Sequence, residues 1–304
     1  MHRTRTFFGI GVALVALSVS ACTVQLKNAP PGGGDVEVAT FRLGPFDLGA
    51  MGMASGYEVS IPKPAGAFGL KSASFTIVDE AGDEVSAHHV HLHHILLIDP
   101  DTTDVVCPGR GERFAGSGAE RTPIAIPDPY AYMVDAGERV DALYHVMNMM
   151  PAPKTVYIEY TLGYQPGATT ENTRPVTPYF LDVTGCGNSE YDVPGDGGPG
   201  SVHLLQRSWT SPAKGIAVFA GGHQHGGGLG LKLRHVESGI VGCKSVPVYD
   251  EMGLDGHPVE MTSCTMHKTV AAGKTYRIES SYDNSKPRPD VMGIMLAYVW
   301  HGTQ

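Results

Sequence analysis

The sequence predicts an all-β protein of sandwich type, and three observations carry that prediction. Short apolar or alternating runs recur along the chain between clusters of Gly, Pro, Asn and Asp, which is how strands and turns punctuate a sequence. No amphipathic helix longer than two turns is legible. The 39 glycines and 22 prolines among 304 residues make turns frequent and loops tight. Regularly spaced short strands of this kind suggest a β-sandwich or jelly roll.

The N-terminus, "MHRTRTFFGIGVALVALSVSAC", has a basic start (Arg3, Arg5) and an apolar run from Phe7 to Val19. That layout predicts a secretory signal over residues 1–21; the run falls short of the about 20 apolar residues of a membrane span. Val19-Ser20-Ala21-Cys22 resembles a bacterial lipobox, which marks Cys22 for lipidation as the mature N-terminus. An ordinary signal with an incidental cysteine is the alternative. "KNAPPGGGD" then reads as part of a flexible tether over residues 22–35.

The strands follow. "VEVATFRL", "YEVSIP" and "SASFTIVDE" come first, then the histidine-rich run ending in "HHILLI", then "LYHVMNMM" and "TVYIEYTLGY". "YQPGATTENTRPV", near residues 164–176, is polar and proline-punctuated. It reads as the boundary between an N-terminal sandwich, residues 36–165, and a C-terminal one, residues 176–304. In the second half, "GNSEYDVPGDGGPGSV" reads as a long loop, and "GIAVFAGG", "KTYRIESSY" and "GIMLAYVW" read as strands.

Export fixes the redox environment. Beyond Cys22, Cys107, Cys186, Cys243 and Cys264 form an even set in an oxidising compartment, so two disulfides are expected. Cys243–Cys264 with Cys107–Cys186 is the preferred pairing; three connectivities are open. Without residues 1–21 the chain keeps 20 basic against 31 acidic residues. It has no basic run, which argues against nucleic acid. "CPGRGERFAGSG" is Gly-rich but precedes no apolar helix, so it is no nucleotide loop, and no Gly-x-Ser-x-Gly elbow suggests a hydrolase. The acidic pairs Asp79-Glu80 and Asp83-Glu84 read as a solvated hairpin.

The chemistry is concentrated in histidine. Five of the 14 histidines fall between His88 and His94. On a strand, His89, His91 and His93 share one face, with His88 and His94 on the other. If the neighbours His93 and His94 bind one metal, the strand must twist or bulge there, or the rings must use different nitrogens. His88, His89 and His91 read instead as caps of a polar sheet face. "AGGHQHGGGLG" is the cleanest metal motif. His223 and His225 point to the same side of a strand, and Gly221, Gly222, Gly226, Gly227 and Gly228 keep side chains out of the way and let the backbone turn. His145, in "LYHVMNMM", and Met292, in "DVMGIMLAYVW", each read as core residues when taken alone.

In order, "LHHILLI", "LYHVMN", "GGHQHGGGLG" and "AAGKTYRIESSYDNSKPRPDVMG" resemble the ligand segments of the copper type II, ascorbate-dependent monooxygenases. These are the peptidylglycine α-hydroxylating and dopamine β-monooxygenase group. A closer resemblance is to the plant stress-upregulated nodulin-like family. "GPFDLGAMGMASGYEVSIPK", "VHLHHILL", "IPDPYAY", "YFLDVTGCG", "GGHQHGGGLG", "MTSC" and "DVMGIM" are similar to its segments, in order from about residue 44 to 300.

The resemblance to the monooxygenases implies two tandem antiparallel jelly-roll β-sandwich domains, with two mononuclear copper sites facing across the cleft between them. His93, His94 and His145 would form the first site, and His223, His225 and Met292 the second, catalytic one. Imidazole suits copper and a thioether favours Cu(I), whereas structural zinc prefers closed Cys and His sets. The implied activity is hydroxylation of a C–H bond of an unknown small molecule by O₂, with an external ascorbate-like reductant. In the peptide hydroxylases an arginine two residues before the His-x-His and a tyrosine four after the methionine hold the substrate carboxylate. Gly221 and Leu296 stand there in this chain, so a peptide carboxylate does not carry over.

The expected protein is therefore an exported bacterial lipoprotein of the cell envelope, periplasmic or outer-membrane, touching the membrane only through its N-terminal lipid. A non-enzymatic copper-buffering or delivery lipoprotein fits the His-rich strand and the methionine surplus as an alternative. A structural or adhesive sandwich without metal is a third reading.

Overall fold

Twenty-one strands make up the secondary structure of the computed structural model, which describes residues 35–251 and 256–302, and no helix occurs among the described residues. The signal sequence, Cys22 and all of the tether but Asp35 lie outside the described residues. None of the described segments is a helix long and apolar enough to cross a membrane.

The first half is a sandwich. One layer contains β1 (Glu37–Leu48), β9 (Lys154–Pro166), β3 (Phe68–Val78), β6 (Ile124–Ala125) and β7 (Tyr130–Val134). The other is a four-stranded sheet in the order β2 (Met53–Glu58), β8 (Asp141–Asn148), β4 (Val90–Thr103), β5 (Gly111–Gly118). Strand alternation supplies the core: Phe41, Leu43, Phe75 and Ile77 from one layer meet Leu92, Ile95, Leu97 and Val146 from the other. The acidic pairs do close a turn, with Asp79 Oδ1 accepting from the N–H groups of Ala81 and Asp83.

The second half repeats the plan. β10 (Arg174–Asp182), β21 (Gly293–Trp300), β13 (Gly215–Gln224) and β18 (Ser263–Val270) face a four-stranded sheet ordered β12 (Val202–Thr210), β19 (Thr275–Asp283), β14 (Gly228–His235), β15 (Val241–Ser245). Two short ribbons complete it: β11 (Tyr191–Val193) with β20 (Arg288–Val291), and β16 (Pro247–Val248) with β17 (Glu260–Met261). The expected antiparallel, all-β sandwich architecture is present. "YEVSIP" is the run that differs. β2 stops at Glu58 because Ser60 takes φ 60° and gives its N–H to Asp141, while Ile61 turns into the core.

The halves share a sheet. β7 and β10 pair in parallel at Arg174↔Tyr130 and Pro175↔Ala131, joining two layers into one nine-stranded sheet. Every position of β21 is buried, which explains why "GIMLAYVW" is apolar without alternation: both its faces are covered. Ile294, Leu296, Tyr298 and Trp300 feed the core shared with the first half, and Met295, Ala297 and Val299 feed the core of the second sandwich.

Both disulfides are formed with the preferred pairing, Cys107–Cys186 and Cys243–Cys264. Cys107–Cys186 closes 79 residues and Cys243–Cys264 closes 21. On the chain-entropy model the longer loop contributes about 4.5 kcal/mol and the shorter about 3.3 kcal/mol. Replacing both cysteines of the long loop by serine is expected to lower the denaturant midpoint more than the same change in the short one. The reverse order in urea unfolding contradicts this account.

Candidate metal centre

β4 and β8 build the first histidine set. Leu92 pairs with Val146 and His94 with His145, so His93 is the extra residue of a bulge. A bulge sets two residues of one strand against one of its partner and re-aims side chains. That is the distortion that two adjacent histidines need to reach one ion. His93 Nδ1 and His94 Nδ1 lie 3.2 Å apart. Two nitrogens at about 2.0–2.1 Å from one tetrahedral ion would be separated by about 3.3 Å. One ring nitrogen each of His93, His94 and His145 falls within 4.8 Å of the others, and these three residues are half-buried.

β13 and the turn after it build the second set. His223 is on the strand, and His225 follows its last residue. Gly227, at φ 84°, then lets the chain turn back into β14, a conformation glycine adopts without penalty. The other glycines have separate reasons. A Cβ at Gly222 would press on Leu231 and Ser245, and one at Gly228 on Gln224, so both serve close packing. At Gly221 a Cβ would meet the Phe219 ring at 3.4 Å, an ordinary contact.

Each ring of this pair has one nitrogen held and one bare. The Glu120 carboxylate accepts from His223 Nδ1 at 3.0 and 3.1 Å. The Asp290 carbonyl accepts from His225 Nδ1 at 2.8 Å. Asp290 is turned to do so by a left-handed φ of 53°. These acceptors place a proton on Nδ1 of both rings, so that in the neutral form each Nε2 keeps a lone pair. Nε2 of His223, of His225 and of His145 is buried without a hydrogen-bond partner. A ring whose far nitrogen donates to a carboxylate or carbonyl is how proteins orient a metal-ligating histidine.

Met292 is buried and shares a cavity of about 260 Å³ with His94 and His223. The β13–β21 register pairs His223 with Ile294 and Gln224 with Gly293, and its continuation sets Met292 opposite His225. Tyr282, fully buried, fastens the two: its hydroxyl accepts from the His225 N–H and donates to the Met292 carbonyl, both at 2.7 Å.

The two sets abut. The His93 and His225 rings are 4.5 Å apart between centroids, so the two sets meet directly at that point. Farther along, His91 is buried against His257 with ring centroids 4.2 Å apart, and His257 is 6.0 Å from His225. His91 is therefore not a cap on a polar face. His88 and His89 are exposed, and His88 pairs with Asp250 at 2.7 Å.

Sequence reasoning missed Glu120, Tyr282, Gly118 and His257. Glu120 is 103 positions from His223 and has no motif of its own. Gly118 hides among many glycines, yet a Cβ there would strike His223 Cε1 and come within 2.7 Å of Glu120 Oε2.

Burial dominates the electrostatics. It holds His93 down to about 2, His94 to about 4 and His91 to about 3, with neighbouring imidazoles adding to the effect. Burial likewise lowers His145, His225 and His257. For His223 burial pulls downward, but the charge and hydrogen bond of Glu120 outweigh it and leave the ring raised. The cluster is thus a set of mostly neutral imidazoles, the form that binds metal.

Two outcomes follow from this geometry. Folded imidazoles held at about 2 to 4 refuse the proton that unfolded ones take near 6.5. Their contribution is complete above about pH 6.5 and is lost as pH falls toward 4, by about 1.4 kcal/mol per pH unit for each ring. Glu112, raised to about 7 by burial, Glu138 and Asp182, also raised by burial, and His223 oppose the trend, but they are fewer than the six lowered rings. The thermal midpoint of metal-free protein should fall between pH 7 and 5; a flat or rising midpoint contradicts the burial of neutral rings. Separately, Gly118→Ala should weaken Cu(I) binding at the His223 set at least tenfold in a competition titration, leaving the His93 set unaffected. Unchanged affinity at both sets would show that Gly118 does not position His223.

The chain is 28% identical over 246 residues to "Probable copper-dependent oxygenase M1" of Phoma sp., covering 70% of this chain and 58% of that protein. It is 27% identical over 246 residues to "Probable copper-dependent oxygenase clz3" of Cochliobolus lunatus, covering 70% and 72%. The chain thus spans less than two thirds of the first of these relatives. Among solved structures, the major capsid protein P2 of bacteriophage PM2 gives a TM-score of 0.35 at 8% identity, covering 88% of this chain and 98% of that one, too loose a likeness to bear on function. Residues 144–301, more than half of the chain and including His145, His223, His225 and Met292, match the family described as Stress up-regulated Nod 19. The chain belongs to the stress up-regulated Nod 19 family.

Proposed function

We propose that this chain is a copper-dependent monooxygenase, held at the cell envelope by a lipid on Cys22, that hydroxylates a C–H bond with O₂ and an external reductant such as ascorbate. One oxygen atom enters the C–H bond and the other leaves as water, with two electrons from the reductant and two protons. The observation that carries this reading is the bare, buried Nε2 of His223 and of His225, each backed by an acceptor on Nδ1. The names of the two fungal relatives and the ordered likeness to the ascorbate-dependent monooxygenases support it from outside the site.

In this reading His93, His94 and His145 hold one copper, and His223, His225 and Met292 hold the other, as two mononuclear sites. Copper cycling between its two oxidation states supplies one-electron chemistry toward O₂, and a set of imidazoles with a thioether suits the reduced form. The protein's own work is to orient and to exclude. Glu120 keeps the His223 proton on Nδ1 and strengthens Nε2 as a donor. Tyr282 ties the His225 backbone to Met292, so that nitrogen and sulfur ligands move together. The adjoining cavity receives the substrate beside His223 and Met292 and limits water there.

A second reading has one observation of its own. His91 and His257 extend the imidazole cluster beyond the six ligands, as a protein that stores or hands on copper would use. Copper content and O₂ uptake separate the two. The copper-loaded full chain should hold two coppers and consume O₂ with ascorbate, while His225→Ala should keep about one copper and lose O₂ uptake. Uptake that survives His225→Ala contradicts the assigned role of the second set. Two coppers without uptake in the parent protein decide for the carrier.

A further inference from the structure

Hydrocarbon makes up most of the wall of the cavity beside the histidines, and Ser117, Thr122, Asn188 and Ser189 add neutral polar groups. Leu96 and Leu143 from the four-stranded sheet of the first half face Phe180, Phe219, Ile294 and Leu296 from the shared sheet, with His94, His223 and Met292 also in the lining. Its volume is about 260 Å³. A dry cavity of about 150 Å³ holds benzene, so this one accommodates about ten to twelve non-hydrogen atoms.

Charge is placed against an anion. Glu120, buried beside His223, is the acid deepest in the lining. Arg110 is exposed, gives one hydrogen bond to the Gly187 carbonyl at 3.1 Å, and shares the lining with Glu190. A guanidinium in water is a weak anchor for a carboxylate. Gly221 and Leu296, both in the lining, add no charge. Burying a carboxylate there without a partner would be costly, whereas apolar area is favoured by about 25 cal/mol per Å².

We infer that the cavity takes a neutral, mainly hydrocarbon molecule of about ten to twelve non-hydrogen atoms, lying between Phe180, Phe219 and Leu143 with one end at His223 and Met292. What happens to that end rests on the oxygenase reading; the binding itself does not.

The test is isothermal titration calorimetry of the metal-free full chain with 4-phenylbutan-1-ol and with 4-phenylbutanoate, which share ring and chain but differ in charge. The alcohol is expected to bind at least tenfold more tightly. A Cβ at Gly221 would meet its neighbours at no less than 3.4 Å, so Gly221→Arg should introduce a cation to the cavity and reverse the preference. Leu143→Phe, which only fills volume, should weaken the alcohol at least fivefold and stands in if the arginine variant does not fold. Equal or tighter binding of the acid to the parent protein overturns the inference, as does failure of the alcohol to saturate at millimolar concentration. Alcohol binding untouched by a folded variant overturns it too, since the ligand then sits elsewhere. A chain that binds the alcohol but no copper would end the oxygenase reading and leave the cavity assignment standing. O₂ uptake without alcohol binding would do the reverse.

Discussion

An imidazole buried with one nitrogen committed and the other bare is an expensive arrangement, and the centre of this molecule is organised around three bare nitrogens. A buried polar atom without a partner costs about 1–3 kcal/mol. His145, His223 and His225 each leave Nε2 in that state. For the last two, the structure also commits Nδ1, through Glu120 and through the Asp290 carbonyl. A protein that only needed to bury these rings could satisfy them more cheaply with a hydroxyl or a backbone group. An ion that took the free lone pairs would give back what the burial costs, which would couple folding to metal affinity.

The fold supplies the rigidity this requires. β21 is buried on both faces and belongs to two cores at once, and Met292, the residue before it, is packed in the core shared with the first half. The bulge at His93 brings two neighbouring rings to one point, and His145 faces them from the paired strand. The first set lies on the inner sheet of one sandwich and the second on the sheet both halves share. Contact between His93 and His225 is therefore a consequence of how the halves dock. The Cys107–Cys186 bridge staples a loop of one half to a loop of the other close to the cavity, beside Arg110 and Gly187.

The legible parts of the site were those whose signal is local. His223 and His225 stand two apart between glycines, and alternation alone puts them on one face. The condition that neighbouring histidines need a bulge could also be stated from the sequence, and the register break falls at His93. Met292 and His145 were legible only through family resemblance, because a lone methionine or histidine in a strand reads as core. Glu120, Tyr282 and His257 were not legible, since each reaches the centre through tertiary approach and carries no spacing. His91 was misread because the alternation rule does not know that a distant loop brings His257 over it. The strand read at "YEVSIP" failed for a similar reason: the hydrogen bond from Ser60 to buried Asp141 overrides the local pattern.

The most direct measurement of the central claim is the tautomer of the two rings in the metal-free protein, read by long-range ¹H–¹⁵N correlation of the histidine side chains. At a pH where both rings are neutral, His223 and His225 should carry their proton on Nδ1, with Nε2 unprotonated and shifting when Cu(I) is added. An Nε2–H tautomer on either ring, or an Nε2 signal indifferent to Cu(I), would contradict it.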